Sequence, residues 1–517
     1  MSKLLKWSKP SLTWLDDHVL EYLSFALLVF IPLYPKIPIA EVLPGYIVRI
    51  RLDDILVAFA ALIWLVWFIR GKVTLKGNPL FILIALYILI GFLSSLSAIF
   101  ITKTIPLDTL HIGKLFLHFF RRIEYFSVFF IFFSSIKSLS QIKKYVFTVA
   151  IVLLAVSLYG FGQKYLYWPA FSTMNREFSK GVTLYLTENA RVLSTFGGHY
   201  DLAAYLMITL TLFIPLMLVV KKVWHKIFFL LISVAGFWLL ILTVSRTSFI
   251  AYLFSITIAF FLLAFRNGWL WAVSRWFVII VVSLGIMLSF GQLSDRFSHV
   301  LKLNDLTTAV LQPVGQKPQG ENIAFIDISD VASKSDTPPS TQRPSDVVVD
   351  VPEFGAGGEG TFAAKPRVYS QTALQYDLST GIRLDYTWPK AIEGFSRNPL
   401  LGSGYSTLTK KTISEFTEAE STDNDFLRAL GETGLLGFLS FYAIIAFSLW
   451  YALKNFVKIK DPFYYTIVSG LVAATFGLLV NAVYIDVFEA SKVAYTFWIM
   501  TAILVLTVKL SISSKKE

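Results

Sequence analysis

Several arginine residues stand within or at the ends of long apolar stretches of this sequence, and four of them are Arg121, Arg122, Arg191 and Arg246. A guanidinium group in such a place is costly unless it faces an internal partner or an anionic ligand. Two of them also allow a structural explanation. Arg246 could extend to lipid phosphate, and Arg121 could pair with Glu124, three residues away on one helix face. The four arginines are therefore candidates for binding an anion.

The stretch "STDNDF" holds candidates for proton transfer directly before another apolar run. Thr422 and Asp425 fit a capping box in which Asp replaces the usual Glu. Capping does not explain Asp423, which would then be the first residue of the helix, so we consider it a candidate general base. Asn424 adjoins it. His199 is a second candidate base, although an interfacial histidine is more often a satisfied polar residue.

The composition indicates a membrane protein. Of the 517 residues, 55% are hydrophobic and only 15% are charged, against about 25% charged in typical soluble proteins. Long uncharged runs approach the roughly 20 residues that a helix needs to cross a bilayer. We expect no cleavable signal peptide, because the first apolar run is a full span without a small-residue cleavage site.

No metal or cofactor is predicted. The absence of cysteine excludes disulfides, thiolate metal sites and a cysteine nucleophile. Glu420, Asp423 and Asp425 could ligate a hard cation. However, the stretch lacks a histidine and the glycine turn of a calcium loop, so a metal site there is disfavoured.

Twelve transmembrane helices are predicted. They cover residues 18–34, 53–69, 79–101, 114–135, 145–165, 200–220, 226–244, 246–265, 269–290, 434–453, 463–484 and 490–510. Alternate connections are rich in lysine and arginine, and such connections face the cytoplasm. Both termini are then cytoplasmic, and the longest loops, 166–199 and 291–433, lie outside. The net charge of +12 therefore reflects topology and does not indicate a nucleic-acid partner.

The fold class that follows is an all-α polytopic membrane protein with a large extracytoplasmic loop. It has three parts, a membrane domain 1–290 with nine spans, a loop 291–433, and a membrane domain 434–517 with three spans. Within the loop, 312–366 is rich in Pro, Gly, Ser and Asp without apolar periodicity, which predicts disorder.

Ordered structure is expected to resume at 380–433, where short helices would carry catalytic residues. An amphipathic helix is predicted from about 380 to 397 on the outer surface. "NPLLGSGYS" predicts a turn in which Gly402 and Gly404 allow positive φ or close backbone approach. A further helical stretch is predicted through "KKTISEFTEAES".

Four short motifs follow one another in the second half of the chain. They are Ser245-Arg246-Thr247; Arg383 with Trp388 and Ala391; Pro399 with Gly402 and Gly404; and Asp423-Asn424 followed by Glu432, Gly434 and Gly437. Their order and spacing, together with twelve spans, resemble the O-antigen ligase and O-antigen polymerase family of bacterial envelope glycosyltransferases. The resemblance covers most of the chain and is strongest from the sixth to the twelfth span.

The resemblance implies a C-type glycosyltransferase fold and a polyprenyl-pyrophosphate-linked glycan donor. Family members transfer the glycan to a hydroxyl of a glycan, a lipid or a protein at the outer face of the cytoplasmic membrane, without metal or nucleotide sugar. Arg246 and Arg383 match the family's arginines. A guanidinium group suits this task, because it matches phosphate geometry and stabilises the departing charge.

Further residues are expected to bind substrate from their positions alone; these are Arg121, Arg122, Arg191, His199 and Asn424. Ligases of the family commonly carry a histidine where this sequence has Asp423. A carboxylate is ionised at neutral pH, so we expect Asp423 to be the general base and the anomeric centre to invert.

Two alternatives stay open. A twelve-span transporter or flippase of a lipid-linked glycan shares the topology, but it would place charged residues and broken helices near the bilayer midplane. Most candidates here stand at the outer ends of spans, which favours a transferase. Ligase and polymerase are not distinguished, and the departure at Asp423 leans slightly to polymerase.

Overall fold

A computed structural model describes residues 2–44, 46–75, 78, 80–174, 176–188, 190–289, 349–354, 360–365, 378–410, 412–417 and 421–513. The chain forms two compact units. Met1–Phe297 and Thr387–Glu517 make up the first unit, and Ser298–Tyr386 the second.

Twelve long helices lie in the described part of the first unit. They are α1 (Ser2–Leu33), α2 (Leu52–Ile69), α3 (Phe81–Phe100), α4 (Thr109–Ser135), α5 (Leu139–Tyr165), α7 (His199–Val219), α8 (Val223–Leu242), α9 (Arg246–Asn267), α10 (Trp269–Ser289), α13 (Asp425–Asn455), α14 (Pro462–Asn481) and α15 (Ser491–Ser513). Ten are long and apolar enough to cross a membrane, by length and composition; α1 and α4 are the other two. The predicted all-α polytopic fold is confirmed, and each predicted span corresponds to one helix.

Shorter elements complete the described chain. They are β1 (Pro38–Glu41), β2 (Arg49–Arg51), α6 (Arg176–Ser179), β3 (Val349–Phe354), β4 (Gly360–Lys365), α11 (Leu378–Ile382), a π-helical turn (Arg383–Thr387), α12 (Trp388–Arg397) and a 3₁₀ turn (Phe456–Lys458). β1 and β2 form an antiparallel hairpin that leads directly into α2. β3 and β4 pair antiparallel in the second unit. The rest of the predicted disordered segment, 312–366, lies outside the described residues.

The centre of the first unit is made by helices that are apolar on every side. Within their apolar windows, α7 is 83% buried and α15 is 89% buried, whereas α2 and α10 are 22% and 17% buried and stand at the periphery. Small residues allow close helix packing. A Cβ on Gly470 of α14 would lie 3.1 Å from the Cα of Leu212 on α7.

Helix α13 is broken at Gly434, whose φ of 65° and ψ of −168° are not helical. The predicted tenth span begins at this break, but the helix extends back to Asp425. The amides of Leu435 and Leu436 beyond the break donate to the carbonyls of Pro399 and Leu400, at 2.8 and 3.2 Å. The turn before α13 therefore replaces hydrogen bonds that the break removes.

The turn itself depends on two glycines. Gly402 and Gly404 have φ values of 71° and 95°, which confirms the predicted positive φ. The amides of Ser403 and Gly404 donate to the carbonyls of Gly431 and Glu432, each at 2.9 Å. Backbone hydrogen bonds thus join the glycine turn to α13, although the two motifs are distant in sequence.

The prediction for residues 380–397 is confirmed in part, since α11, the π-helical turn and α12 are consecutive, although they belong to two units. The predicted helix through "KKTISEFTEAES" is wrong where the chain is described, because 412–417 form turns. The backbone there is held by α4 instead. Lys114 Nζ donates to the carbonyl and the hydroxyl of Thr417, both at 2.8 Å.

Candidate functional site

The segments that precede α2, α7, α13 and α15 meet at one end of the helices. Lys492, near the start of α15, is buried. Its Nζ donates to the carbonyls of Pro32, Tyr34 and Thr195, at 3.1, 2.6 and 2.7 Å. One ammonium group therefore ties the end of α1 to the segment before α7, and both to α15.

These segments enclose a cavity of about 320 Å³, which we call the basic cavity. The charged and aromatic residues of its wall are Lys36, Tyr46, Arg51, His118, Arg121, Tyr125, Asp201, Arg428 and Glu489; Ser421 and Ser491 also line it. Four of these are lysine or arginine and two are carboxylates, so the wall offers several N–H donors to an anion. Arg121 is the predicted site residue that lies in this wall.

Two of the cations have carboxylate partners beside the cavity. Arg121 pairs with Asp54 at 2.6 Å and with Glu124 at 2.8 Å, which confirms the predicted pair on one helix face. Lys36 lies 3.3 Å from Asp53. Burial lowers the pKa of the Lys36 ammonium, and the Asp53 carboxylate opposes this shift.

Arg122 belongs to a buried ion network and does not line the basic cavity. It pairs with Glu489 and lies 3.7 Å from Glu432. Arg428 joins the same carboxylates, at 3.4 Å from Glu432 and 3.7 Å from Glu489, and pairs with Asp486 at 3.0 Å. The network links α4, the first half of α13 and the segment before α15. These ion pairs join the three elements to one another.

Asp423 lies before α13, and its predicted place as the first helical residue is wrong. Its φ is 52°, in the left-handed region. Asn424 is the N-cap, and its side-chain oxygen accepts from the amide of Leu427 at 2.9 Å. The predicted capping box of Thr422 and Asp425 is therefore replaced by a cap from Asn424. Such a cap satisfies an otherwise unpaired amide in the first turn of the helix.

Asp486 holds the backbone on both sides of Asp423. Its carboxylate accepts from the amides of Thr422 and Asn424, both at 2.9 Å. The Ser421 hydroxyl lies 2.8 Å from Asp423 Oδ1 and 3.1 Å from Asp486 Oδ2, so its single proton serves one carboxylate at a time. Ser421 lines the basic cavity. Its hydroxyl therefore connects Asp423 to the cavity wall through a single hydrogen bond.

Sequence reasoning missed Asp486, Glu489, Arg51 and His118. "YIDVFEAS", between the eleventh and twelfth predicted spans, places two carboxylates on the predicted outer side. This signal could have pointed to Asp486 and Glu489. His118 lies within the fourth span, and its Nε2 is 2.6 Å from the hydroxyl of Tyr46.

Arg191 and His199 form a pair, with 2.8 Å between a guanidinium nitrogen and His199 Nε2. The amide of Val192 donates to the carbonyl of Leu242 at 3.2 Å. This bond brings the Arg191 segment to the short connection between α8 and α9, and Arg246 is the first residue of α9. These three predicted site residues do not line the basic cavity.

Arg383 lies in the second unit, where its guanidinium donates to the carbonyl of Ser379 at 2.9 Å. The other two residues of its motif lie in the first unit and pack against neighbours. The rings of Trp388 and Tyr484 form a T-shaped pair, with centroids 6.0 Å apart. Ala391 is buried beside Gly431, where a Cβ would lie 2.7 Å from the Ala391 carbonyl oxygen.

A second cavity, of about 500 Å³, lies between α2 and α4, and we call it the apolar cavity. Its apolar lining includes Ala58, Ala61, Leu62, Leu65, Phe120 and Ile123. Val48, Leu117 and Arg121 line both cavities, so the two share a wall. A ligand with an anionic head and a long apolar chain has complementary surfaces here.

Residues 228–442 match the family model described as O-Antigen ligase. No curated protein matches the chain. The matched region contains all four motifs, and the positions of Lys36, Arg51 and Arg121 precede it. The match supports the resemblance to the O-antigen ligase/polymerase family over this part of the chain.

Proposed function

We propose that the protein transfers a glycan from a polyprenyl-pyrophosphate carrier to a hydroxyl of a lipid or glycan acceptor. The observation that carries the proposal is the wall shared by the basic and apolar cavities, one hydrogen bond from Asp423. The carrier's pyrophosphate would lie in the basic cavity and its polyprenyl chain in the apolar cavity. A cell-envelope polysaccharide is the product class that the family suggests.

The outer face of the cytoplasmic membrane is the side we propose for this reaction. The segments around the basic cavity include those before α2, α7, α13 and α15, which the positive-inside rule assigns to the outside. Arg121 lies twelve residues into α4, but it pairs with Asp54, the third residue of α2. The pair is therefore level with an end of α2, away from its middle.

The proposed reaction is a single displacement at the anomeric carbon. The acceptor oxygen forms a bond to this carbon as the bond to the pyrophosphate oxygen breaks, and the electron pair leaves with the pyrophosphate. Attack from the opposite face inverts the anomeric centre. Asp423 takes the acceptor's proton. Arg121 and Arg428 would stabilise the departing charge, together with Arg246 by its match to the family, so that no metal is needed.

His199 is less suited to the role of base. A guanidinium group donates hydrogen bonds and cannot accept them. His199 Nε2, at 2.8 Å from Arg191, must therefore use its lone pair as the acceptor. This leaves Asp423 as the group that we propose for proton transfer, with Arg191, His199 and Asn424 supporting the site around it.

The transporter alternative predicts a different product. In proteoliposomes that contain a polyprenyl-pyrophosphate oligosaccharide and candidate acceptors, a transferase joins glycan to acceptor, and released carrier accumulates in equal amount. A flippase moves intact carrier between leaflets without releasing it. Glycan transfer by the wild type supports the proposal. Transbilayer movement without transfer would replace it with transport.

A further inference from the structure

Two charged groups of the basic cavity stand apart from the others because the protein does not neutralise them directly. Arg51 is 6% exposed, and its Nε is buried without a hydrogen-bond partner. Among the described residues, neither the Arg51 guanidinium nor the Asp201 carboxylate has an ion-pair partner within 4.0 Å. Both line the cavity. A buried polar group without a partner is costly, which points to a ligand.

The other charged residues of the wall have partners. Lys36 pairs with Asp53, and Arg121 pairs with Asp54 and Glu124. Similarly, Arg428 and Glu489 belong to the buried ion network. Among the charged groups of the described wall, the Arg51 guanidinium and the Asp201 carboxylate are thus the two without an ion-pair partner.

The fold holds these two groups firmly. Arg51 ends β2, directly before α2, and is paired in register with Pro38 of β1. Asp201 is the third residue of α7, where the helix dipole favours a carboxylate without a cationic partner. The backbone of each residue is therefore held by regular secondary structure. Both groups are therefore preorganised for a ligand.

We propose that Arg51 binds the diphosphate of the donor and that Asp201 accepts hydrogen bonds from the sugar attached to it. The proposal rests on the proposed function and deepens it. A guanidinium group without a partner suits phosphate, whereas a carboxylate repels phosphate and accepts from neutral hydroxyls. A glycosyl diphosphate carries both groups in adjacent positions. Neither Arg51 nor Asp201 lies in the region matched to the family.

Asp201 would then select the donor's first sugar. A site that is built to bind a hydroxyl rejects ligands that lack it, because its own polar group is left unpaired. Carrier that has already lost its glycan would bind less tightly than loaded carrier. This difference would favour release of the spent carrier after transfer.

Direct binding to detergent-solubilised full-length protein tests this inference with three probes. These are farnesyl diphosphate, farnesyl-diphospho-N-acetylglucosamine and farnesyl-diphospho-glucose. Arg51→Gln should weaken all three by about tenfold, the loss expected for a charge-assisted hydrogen bond. Asp201→Asn should weaken the better glycosylated probe by about tenfold. It should not weaken farnesyl diphosphate, because it removes a negative charge near the phosphates.

Matched controls lie outside the cavity. Asp108→Asn removes a carboxylate that caps α4, accepting from the amide of Leu110 at 3.1 Å. Arg70→Gln removes an arginine that pairs with Asp16 at 2.8 Å. Both controls should bind all probes like the wild type. If Arg51→Gln does not give monodisperse protein, Arg51→Lys replaces it, and the lost bidentate geometry should still weaken every probe severalfold.

Three results would overturn the inference. They are unchanged binding by the Arg51 variant, equal losses for all probes with Asp201→Asn, and no preference of the wild type for a glycosylated probe. The proposed function fails separately, by the absence of transfer in proteoliposomes. Binding selectivity and transfer are independent readouts, so the two failures are distinguishable.

Discussion

The amide of Gly404 donates to the carbonyl of Glu432 at 2.9 Å, and this bond joins two motifs that lie 28 residues apart. It sits beside the break in α13 at Gly434. Glu432 also receives the amide of Ser406 on its Oε1, at 3.1 Å. The glycine turn and the broken helix therefore orient a carboxylate of the buried ion network, close to Asp423 in the chain.

Gly402→Ala should strongly destabilise the protein. The residue has a φ of 71°, and a Cβ would lie 2.5 Å from the carbonyl carbon and oxygen of Glu432. We expect a loss of about 3 kcal/mol or more, from backbone strain and overpacking together. Thermal unfolding in detergent measures it. Gly71→Ala is the control, because Gly71 has a φ of 70° but open space around it. Equal losses would show that the close approach to Glu432 is unimportant.

Arg122→Met should destabilise the protein by about 3 kcal/mol, because it removes one of the two arginines that neutralise the carboxylates of a buried network. Arg397→Met is the matched control. Arg397 pairs with Glu393 at 2.8 Å on an exposed surface, where a pair contributes at most about 1 kcal/mol. Denaturation in mild detergent compares the two. If Arg122 contacted the substrate instead, its loss would appear in the Michaelis constant with stability unchanged.

Asp486→Asn should lower kcat by about tenfold or more, because an amide cannot accept from both amides that flank Asp423 and also hold Arg428. In an Asp423→Asn background the same change should have little further effect, since residues that act as a unit are not additive. Initial rates of transfer measure this. Asp461→Asn is the control; Asp461 caps α14 by accepting from the amide of Phe463 at 2.8 Å, and asparagine can accept the same hydrogen bond. Independent losses in the double variant would show that Asp486 does not act through Asp423.

Filling the apolar cavity should discriminate between carriers by chain length. Ala58→Phe and Ala61→Phe place bulk in its lining. Each should raise the Michaelis constant for a long polyprenyl donor by about tenfold, the effect of losing roughly two buried methylene groups. A farnesyl donor should be affected less. Val234→Phe, at an exposed position on α8, should affect neither. Equal effects on both carriers would place the chain elsewhere.

The helices could be predicted from the sequence because their signals are local. Apolar runs correspond to the twelve helices, and glycines in "LLGSGY" predicted the positive φ at Gly402 and Gly404. The pair of Arg121 and Glu124 followed from a spacing of three residues on one helix. Each of these features is fixed within a few residues of chain.

The remaining features depend on contacts between distant segments. Asn424 caps α13 in place of Thr422, because Asp486, more than sixty residues away, binds the amide of Thr422. The importance of Arg51 appears only when β2, α4 and α7 surround one cavity. Spacing within the sequence contains no sign of such long-range packing.

The most direct test of the account is the rate of glycan transfer by Asp423→Asn in proteoliposomes, beside the wild type and His199→Ala. Asparagine preserves the size of the side chain and can still accept from Ser421, but it cannot take the acceptor's proton. We predict a loss of roughly a hundredfold or more in kcat with intact folding, the usual contribution of a positioned base. A rate near that of the wild type, with transfer abolished by His199→Ala instead, would contradict the account.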